Sequence, residues 1–435
     1  MRLRTKRLIH SASLLLILLS VMLSGCQWIQ DPKSLMSVPR LPTEKANLKS
    51  MIASQLPEGA ILIRPTSSDD ASAIRVTDLN NDGLADTAVV FYETPEKEVR
   101  IHGMVFHRDG DSWRMVVDFD GEGIKLDSVE LIDITNDSRL DLVVGYGSND
   151  TDLNKGLVIY TFTQDGINKL FEQPYSQFVI DDLDQNGKNQ LFIVNNRRGQ
   201  SPVLTAFDYQ NGKMVKLNEL AMDKEVNMYI NMVSGFISKD HKGIVMDASA
   251  GANYWLTNVV VLNKDKVLEQ VLSDDMTLKP YFTTSADING DGIIEIAMPE
   301  TPSGWDRLYE SYEIPYFTNY FQWDGSNGLK LVDKQYRDYL DRFYLTFPKS
   351  WYGRVTVDTK SKKDEILIFV DQNTNEKLAE IRFFTPVMWD LNKEKWTYLS
   401  SFGDKIIGII SKEPLKLNKG LPKIPELNNN ESNSK

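Results

Sequence analysis

The 435-residue chain contains a single cysteine, Cys26. One thiol cannot form an intramolecular disulfide, and it cannot supply the several thiolates of a zinc or iron–sulfur site. The sequence also lacks the GxSxG, HExxH and glycine-rich phosphate-binding motifs of many hydrolases, metalloproteases and nucleotide-binding proteins. A hydrolase or lyase that works with carboxylates, of which the chain has many, stays open among the enzymes.

Long hydrophobic runs are equally scarce. The apolar run at residues 13–23 is shorter than the roughly 20 residues that span a membrane, and no second run approaches that length. Because basic residues at positions 2, 4, 6 and 7 precede this run, it predicts a signal peptide of residues 1–25. Cys26 lies directly after this predicted signal peptide. One interpretation is that an incidental cysteine follows an ordinary signal peptide. The alternative is that Cys26 carries a lipid anchor.

The apolar run ends in LSGC at positions 23–26, and these residues resemble the bacterial lipobox. The resemblance implies that Cys26 carries diacylglycerol on its sulfur and becomes the first residue after cleavage. We therefore expect a lipoprotein, anchored by lipid to the extracytoplasmic face of the cell membrane, or to the outer membrane of a Gram-negative source. Residues 26–57 are predicted to be the lipidated cysteine and a tether, with a short helix near residues 48–56.

The chain has fewer basic than acidic side chains, 49 against 61, and its net charge is −12. Removal of residues 1–25, which hold four basic residues and no acidic one, would lower the net charge to −16. Such a charge argues against nucleic acid and anionic lipid headgroups as principal partners. It suits a protein whose carboxylates have a specific role.

A nine-residue loop with alternating oxygen-bearing side chains occurs four times. Consecutive copies begin 55, 49 and 105 residues apart, and a degenerate copy with Gly235 at its first position lies within the longest interval. A period of about 50 residues is typical of propeller blades with four short strands. The candidate ligands, at positions 1, 3, 5, 7 and 9, are Asp78, Asn80, Asp82, Leu84 and Asp86; Asp133, Thr135, Asp137, Arg139 and Asp141; Asp182, Asp184, Asn186, Lys188 and Gln190; and Asp287, Asn289, Asp291, Ile293 and Glu295.

Alternate residues of such a loop converge when the chain turns sharply, and glycine at position 6 permits that turn. Side-chain oxygens and the backbone carbonyl of position 7 suit a hard cation, so the loops predict structural calcium. An EF-hand is excluded because position 12 is apolar in all four copies. The carboxylate count ranks the first and fourth loops strongest, whereas the second has Ser138 in place of glycine and the third is weakest. Turn formation without an ion is the alternative.

Short apolar runs flank the loops, and hairpin dipeptides such as Asp109-Gly110 end several of the strands predicted between them. The loops resemble the FG-GAP/VCBS-type repeats of integrin-like propellers. This resemblance implies that residues 58–342 form an all-β fold, a β-propeller of about five to seven blades with calcium-loop repeats. Residues 343–416 lack such a loop and are predicted to form a small α+β C-terminal module or a closing blade, followed by a disordered tail at residues 417–435.

Residues 305–323 are densely aromatic. Rings exposed there would stack on sugar or peptide, whereas buried rings would fill the core of a blade, and packing is the commoner role of aromatic residues. The candidate ligand surface consists of Trp305, Tyr309, Tyr312, Tyr316 and Trp323.

Two functions from different classes follow from these patterns. The first is a non-enzymatic binding module that recognises a protein or glycan at the cell envelope. The alternative is a calcium-dependent hydrolase or lyase that acts on envelope polysaccharide. A carboxylate pair in a cleft outside the loops would favour the enzyme, whereas an aromatic or apolar patch on one face would favour the binding module.

Overall fold

The computed structural model describes residues 43–67, 72–94, 98–148, 155–163, 166–197, 199–305 and 312–418. The described residues divide into two compact units: residues 43–56 and 108–114 form one, and the remaining described residues form the other. In the first unit, helix α1 (Thr43–Gln55) buries Leu48 and Ile52, which lie one turn apart on the same helix face. The side chain of Asn47 donates to the carbonyl oxygen of Asp111 in the same unit. The short helix predicted near residues 48–56 is therefore confirmed.

The strands form six antiparallel sheets, which confirms the all-β prediction. The first sheet contains β1 (Ile61–Ile63), β2 (Ile74–Thr77), β3 (Thr87–Glu93), β4 (Ile101–Asp109) and β5 (Ser112–Asp120). The second contains β6 (Lys125–Ile132), β7 (Asp141–Gly147), β8 (Lys155–Thr163) and β9 (Gly166–Tyr175). The third contains β10 (Gln177–Asp181), β11 (Gln190–Asn195), β12 (Val203–Gln210) and β13 (Lys213–Ala221).

The fourth sheet contains β14 (Val226–Phe236), β15 (Lys242–Ala250), β16 (Tyr254–Leu262) and β17 (Leu268–Gln270). The fifth contains β18 (Ile296–Glu300), β19 (Phe317–Trp323), β20 (Leu329–Arg337), β21 (Tyr344–Thr346) and, from the far end of the chain, β27 (Lys416–Asn418). The sixth contains β22 (Val355–Val357), β23 (Ile366–Asp371), β24 (Lys377–Phe384), β25 (Thr397–Phe402) and β26 (Lys405–Ser411).

The second, third and fourth sheets are simple four-stranded meanders. The first sheet resembles them, because β1 and β2 pair with successive halves of β3 and together occupy one edge position. In the fifth sheet a bridge between Ala286 and Glu295 precedes β18, so a short segment takes the place of an edge strand. Five consecutive sheets thus repeat one plan at the interval expected from the sequence.

The second strand of a repeat is buried on both faces, as in β3 and β7, where nearly every residue is buried. Two-sided burial explains why the sequence shows continuous apolar runs there rather than alternation. Each sheet packs on the next through a shared core: Phe91 and Leu142 belong to the cluster between the first two sheets, and Phe192 and Met246 to the cluster between the third and fourth. Comparable clusters join the second to the third, the fourth to the fifth and the fifth to the sixth sheet.

The sixth sheet has a different plan. Its order is β22-β23-β24-β26-β25, and helix α2 (Pro386–Asn392) lies in the connection between β24 and β25. The hydroxyl of Thr385 caps this helix by accepting from the backbone N–H of Met388. The residues of the predicted C-terminal segment therefore separate into this α+β sheet and two strands, β21 and β27, that join the fifth sheet.

Candidate metal-binding loops

The four carboxylate loops occupy equivalent connections in the fold. Residues 78–86 join β2 to β3, and the loop at residues 133–141 joins β6 to β7. Residues 182–190 join β10 to β11, and residues 287–295 lead into β18. Each loop therefore follows the first strand of a sheet and leads into its buried second strand, at the same end of successive sheets.

The four loops share one turn. The aspartate at position 1 accepts hydrogen bonds from backbone N–H groups later in the loop: Asp78 accepts from Asp82 at 3.1 Å and from Gly83 at 2.7 Å. Asp133 and Asp182 accept in the same way, whereas Asp287 accepts from the N–H groups of Gly290 and Gly292, at positions 4 and 6. Position 6 has a positive φ in every copy, namely Gly83 at 90°, Ser138 at 68°, Gly187 at 84° and Gly292 at 83°. Glycine is preferred there because side chains disfavour this conformation.

The fourth loop brings three carboxylates together. One oxygen from each of Asp287, Asp291 and Glu295 lies within 4.8 Å of the others, and within the described ranges this is the only such group of three acidic, histidine or cysteine side chains. Glu295 is fully buried. Burial raises the pKa of Glu295 to about 7, an effect opposed by the N–H of Ile288 and the Gln322 amide and reinforced by the two aspartates. An all-oxygen donor set of this charge suits Ca²⁺.

The first loop holds its last carboxylate differently. Asp86 accepts from the hydroxyl of Thr87 at 3.2 Å and lies 3.7 Å from Nδ1 of His107. The amide of Asn80 donates to Asp82 at 2.9 Å. The structure thus distinguishes the first and fourth loops, which the sequence ranks together, because only the fourth gathers its carboxylates as a tight group.

The second loop encloses its last carboxylate. Asp141 is buried and accepts from the N–H groups of Ile134 and Thr135, at 3.0 and 2.9 Å, and from the Thr135 hydroxyl at 3.0 Å. Burial raises the pKa of this carboxyl, while those three donors oppose the rise. Asp141 therefore braces the loop backbone as well as offering an oxygen.

The third loop forms an ion pair with a lysine from another part of the chain. Lys266, from the turn between β16 and β17, forms an ion pair with Asp184, the position-3 carboxylate. The side-chain amides of Asn186 and Gln190 also donate to Asp184, at 3.0 and 3.2 Å. A lysine thus stands beside the carboxylate that a metal would need, in the loop that the sequence ranks weakest. The pairing was not visible in the sequence, because Lys266 belongs to the next sheet.

Neighbouring loops contact each other through backbone groups. The N–H of Leu140, at position 8 of the second loop, donates to the carbonyl oxygen of Leu79, at position 2 of the first loop, at 2.9 Å. The N–H of Ile294, at position 8 of the fourth loop, donates at 2.7 Å to the carbonyl oxygen of Phe236, which follows Gly235. Phe236 therefore occupies position 2 of the degenerate copy, which keeps the contact although it has no carboxylate at the ligand positions 1, 3, 5, 7 and 9.

Three buried ion pairs outside the loops, within the described ranges, are absent from the sequence predictions. Lys279 and Asp247 pair at 2.8 Å, Lys155 and Asp127 at 3.0 Å, and Arg342 and Asp338 at 2.7 Å, with all six side chains no more than 9% exposed. Tyr175 also donates to Asp127 at 2.5 Å. Among these residues only Asp247 shows a sequence signal, as a carboxylate directly after the apolar run of β15.

Two residues of the predicted aromatic ligand surface are core residues. Trp305 packs against the sixth sheet and donates through Nε1 to the carbonyl oxygen of Val357 at 2.8 Å. Trp323 is buried between the fourth and fifth sheets. Tyr312 is 69% exposed, and Tyr316 stacks on Tyr281. Trp305 and Trp323 therefore do not present their ring faces to a ligand, because burial against neighbouring strands was the stronger requirement.

Several predicted features lie outside the described residues. These are Cys26, the signal peptide, most of the tether, Tyr309 and residues 419–435 of the predicted tail. The prediction of disorder is wrong for residues 417 and 418, because they pair with β21 as part of β27. In the described ranges, neither helix has the length and apolar character required to cross a membrane.

No protein-family model and no curated protein matches the chain. Similar solved structures include rhamnogalacturonan lyase PL11 of Bacillus licheniformis, with a TM-score of 0.33 and 12% identity over 74% of this chain and 64% of that chain. Rhamnogalacturonan lyase YesW has a TM-score of 0.33 and 12% identity over 73% and 67% of the two chains. Sqt1 of Chaetomium thermophilum has a TM-score of 0.32 and 8% identity over 74% and 75%. The match spans less than two thirds of the first lyase, and similarities this weak assign neither a fold family nor an activity.

Proposed function

We propose that the chain is an extracytoplasmic lipoprotein, anchored to a membrane through Cys26, whose propeller is stabilised by calcium and serves as a non-enzymatic binding module. Its partner is a protein or glycan of the cell envelope. The observation that carries this proposal is the recurrence of one loop, with one hydrogen-bonding pattern, at the same connection of successive sheets.

A propeller arrangement is supported by how the five repeated sheets pack. The second, third and fourth sheets each bury one face against the sheet before and the other against the sheet after, which is the relation between neighbouring blades. The position-8 to position-2 contact between loops recurs with the same direction. We therefore assign one blade to each of these five sheets.

Calcium is supported most strongly at the fourth loop. Asp287 and Asp291 are exposed and Glu295 is buried next to β18. An ion held by all three would therefore lie between solvent and this strand. Bound there, Ca²⁺ would offset the repulsion among three carboxylates and hold the loop against β18. Its role would be structural, and the residues that hold it are not proposed to react.

Thermal unfolding of the full chain in mild detergent tests the calcium part of the proposal. We expect calcium to raise the melting temperature relative to a chelator, with magnesium less effective because the loop supplies many oxygens in an irregular arrangement. At a free concentration one hundred times the dissociation constant, the gain is about 2.7 kcal/mol. Asp287→Asn should reduce this gain, whereas Asp240→Asn, the same change in the degenerate copy, should leave it intact. Identical curves in calcium and chelator would refute the calcium assignment.

Detergent phase partition tests the anchor. The chain produced in a bacterium should enter the detergent-rich phase and incorporate labelled fatty acid, and Cys26→Ser should abolish both properties. Unchanged labelling of Cys26→Ser would contradict the lipid attachment.

A further inference from the structure

An open pocket of about 350 Å³ lies beside the fourth loop. This volume falls at the lower end of the range for small-molecule sites. The pocket is formed by β20, β21 and the segment after it, and the chain around β27. Its lining residues are Asn289, Val332, Asp333, Thr346, Phe347, Pro348, Lys349, Tyr352, Pro414 and Lys416.

Half of the pocket lining is apolar or aromatic. Phe347 is buried, and it holds the pocket wall in place by packing edge-on against Phe317 and Phe369. Pro348 and Pro414 add two rigid rings, and Tyr352 presents a half-buried phenol ring. Such walls suit a ligand that has at least one compact apolar face.

The single carboxylate in the pocket already has its hydrogen bonds. Asp333 accepts from the backbone N–H of Lys334 at 2.8 Å, from the Tyr352 hydroxyl at 3.2 Å and from the Gln335 amide at 3.2 Å. Burial, reinforced by Asp333, raises the pKa of Tyr352 to about 12, so the phenol keeps its proton and donates it to Asp333. The oxygen of Tyr352 already accepts from the backbone N–H of Lys334, and its second lone pair can accept a hydrogen bond from a ligand hydroxyl.

The two lysines of the pocket have no such partner. Lys349 and Lys416 are exposed, and neither forms an ion pair with another residue of the described ranges. Lys416 lies directly across from Thr346 in the β21–β27 pair, which fixes its position at the pocket wall. Two exposed lysines line this concave site together with one carboxylate, and that carboxylate already accepts three hydrogen bonds; the lysines therefore favour an anionic ligand.

We propose that this pocket binds an acidic saccharide unit, with Lys349 and Lys416 contacting its anionic group and Tyr352 contacting a sugar hydroxyl. The shared chemistry is a carboxylate or phosphate attached to a sugar ring. A sugar combines an apolar ring face with hydroxyl donors, which matches the proline and tyrosine walls better than a bare anion does. This inference rests on the proposed binding function and names the ligand class of that module.

Calorimetric titration of the full chain in mild detergent tests the pocket, with glucuronate, glucose 1-phosphate, glucose and acetate as probes. We expect either of the first two to bind at least tenfold more tightly than glucose, and the better of them identifies the anionic group. Lys349→Met and Lys416→Met should each weaken binding about fivefold, because each removes one charge-assisted contact from a partly screened site. Lys395→Met, which changes an exposed lysine on the sixth-sheet module, is the matched control.

Three outcomes would overturn the proposal. Equal affinity for glucose and glucuronate would show that the lysines do not contribute to binding. Equal affinity for acetate and glucuronate would show that the sugar ring does not contribute. Binding that Lys395→Met weakens as much as Lys349→Met would place the ligand elsewhere. Because calcium stabilisation is measured on the same protein, its persistence without saccharide binding would reject the pocket alone. Loss of the calcium effect would instead count against the proposed propeller function.

Discussion

Lys279 and Asp247 offer the sharpest test of how this protein is stabilised. Their side chains are each 1% exposed, and Nζ of Lys279 lies 2.8 Å from Asp247. Asp247 also accepts from the Thr257 hydroxyl at 2.6 Å, the Ser285 N–H at 2.7 Å and the Asn231 amide at 2.8 Å. Lys279→Met removes the ammonium but keeps an unbranched side chain. The carboxylate would then stay buried without its counter-charge.

The expected loss of unfolding free energy is about 3–5 kcal/mol, as for other buried pairs that lose one partner. Lys216→Met is the control, because the Lys216–Glu219 pair has nearly the same separation, 2.9 Å, but its side chains are 56% and 57% exposed. That change should cost no more than about 1 kcal/mol. Urea denaturation measures both variants. Equal shifts of the two midpoints would refute the argument that burial decides the contribution.

The same pair predicts a dependence on pH. Burial alone would raise the pKa of Asp247, but Lys279, together with the neighbouring donors, holds it below its usual value. The folded chain therefore binds this proton less readily than the unfolded chain does. The stabilisation is complete above the unfolded pKa of about 3.9 and is lost as pH falls through the folded value. The difference in stability between the unsubstituted chain and Lys279→Met should accordingly shrink in acid.

Two further substitutions test the local geometry. Ser138→Gly should raise the free energy of unfolding by about 0.5–1 kcal/mol, because residue 138 has a φ of 68° that glycine adopts without strain. The melting temperature should rise accordingly, and an unchanged or lower value would contradict this. Gly145→Ala should cost about 1–3 kcal/mol in urea denaturation, since the new Cβ would lie 2.0 Å from Oη of Tyr175, whereas Gly156→Ala in the adjacent strand, where nothing lies within 4 Å, should be close to neutral.

The loops were predictable because their structure is local. Asp78 bonds to backbone groups four and five residues later, and the glycine that permits this turn lies in the same nine residues. The buried second strands were predictable for a similar reason, since burial on both faces produces a short unbroken apolar run. Local chemistry therefore specifies both the repeat and the position of each loop within its sheet.

The long-range pairings were not predictable in this way. Lys279 and Lys266 are ordinary lysines in the sequence, yet one is fully buried against Asp247 and the other reaches the third loop from the next sheet. Trp305 shows the converse, because an aromatic-rich segment suggests an exposed surface while the sixth sheet covers this ring. Each outcome depends on which distant segment packs nearby, and no residue pattern within the segment encodes that choice.

The third and fourth loops also differ in how their negative charge is balanced. In the third loop Lys266 supplies a cation from within the chain, so Asp184 is neutralised whether or not a metal is present. In the fourth loop Asp287, Asp291 and Glu295 form no ion pair with a lysine, arginine or histidine of the described ranges. Three carboxylates that share one site without an internal counter-charge repel one another, and we predict that a bound cation relieves this repulsion. Calcium dependence should therefore concentrate at the fourth loop, even though the third follows the same turn.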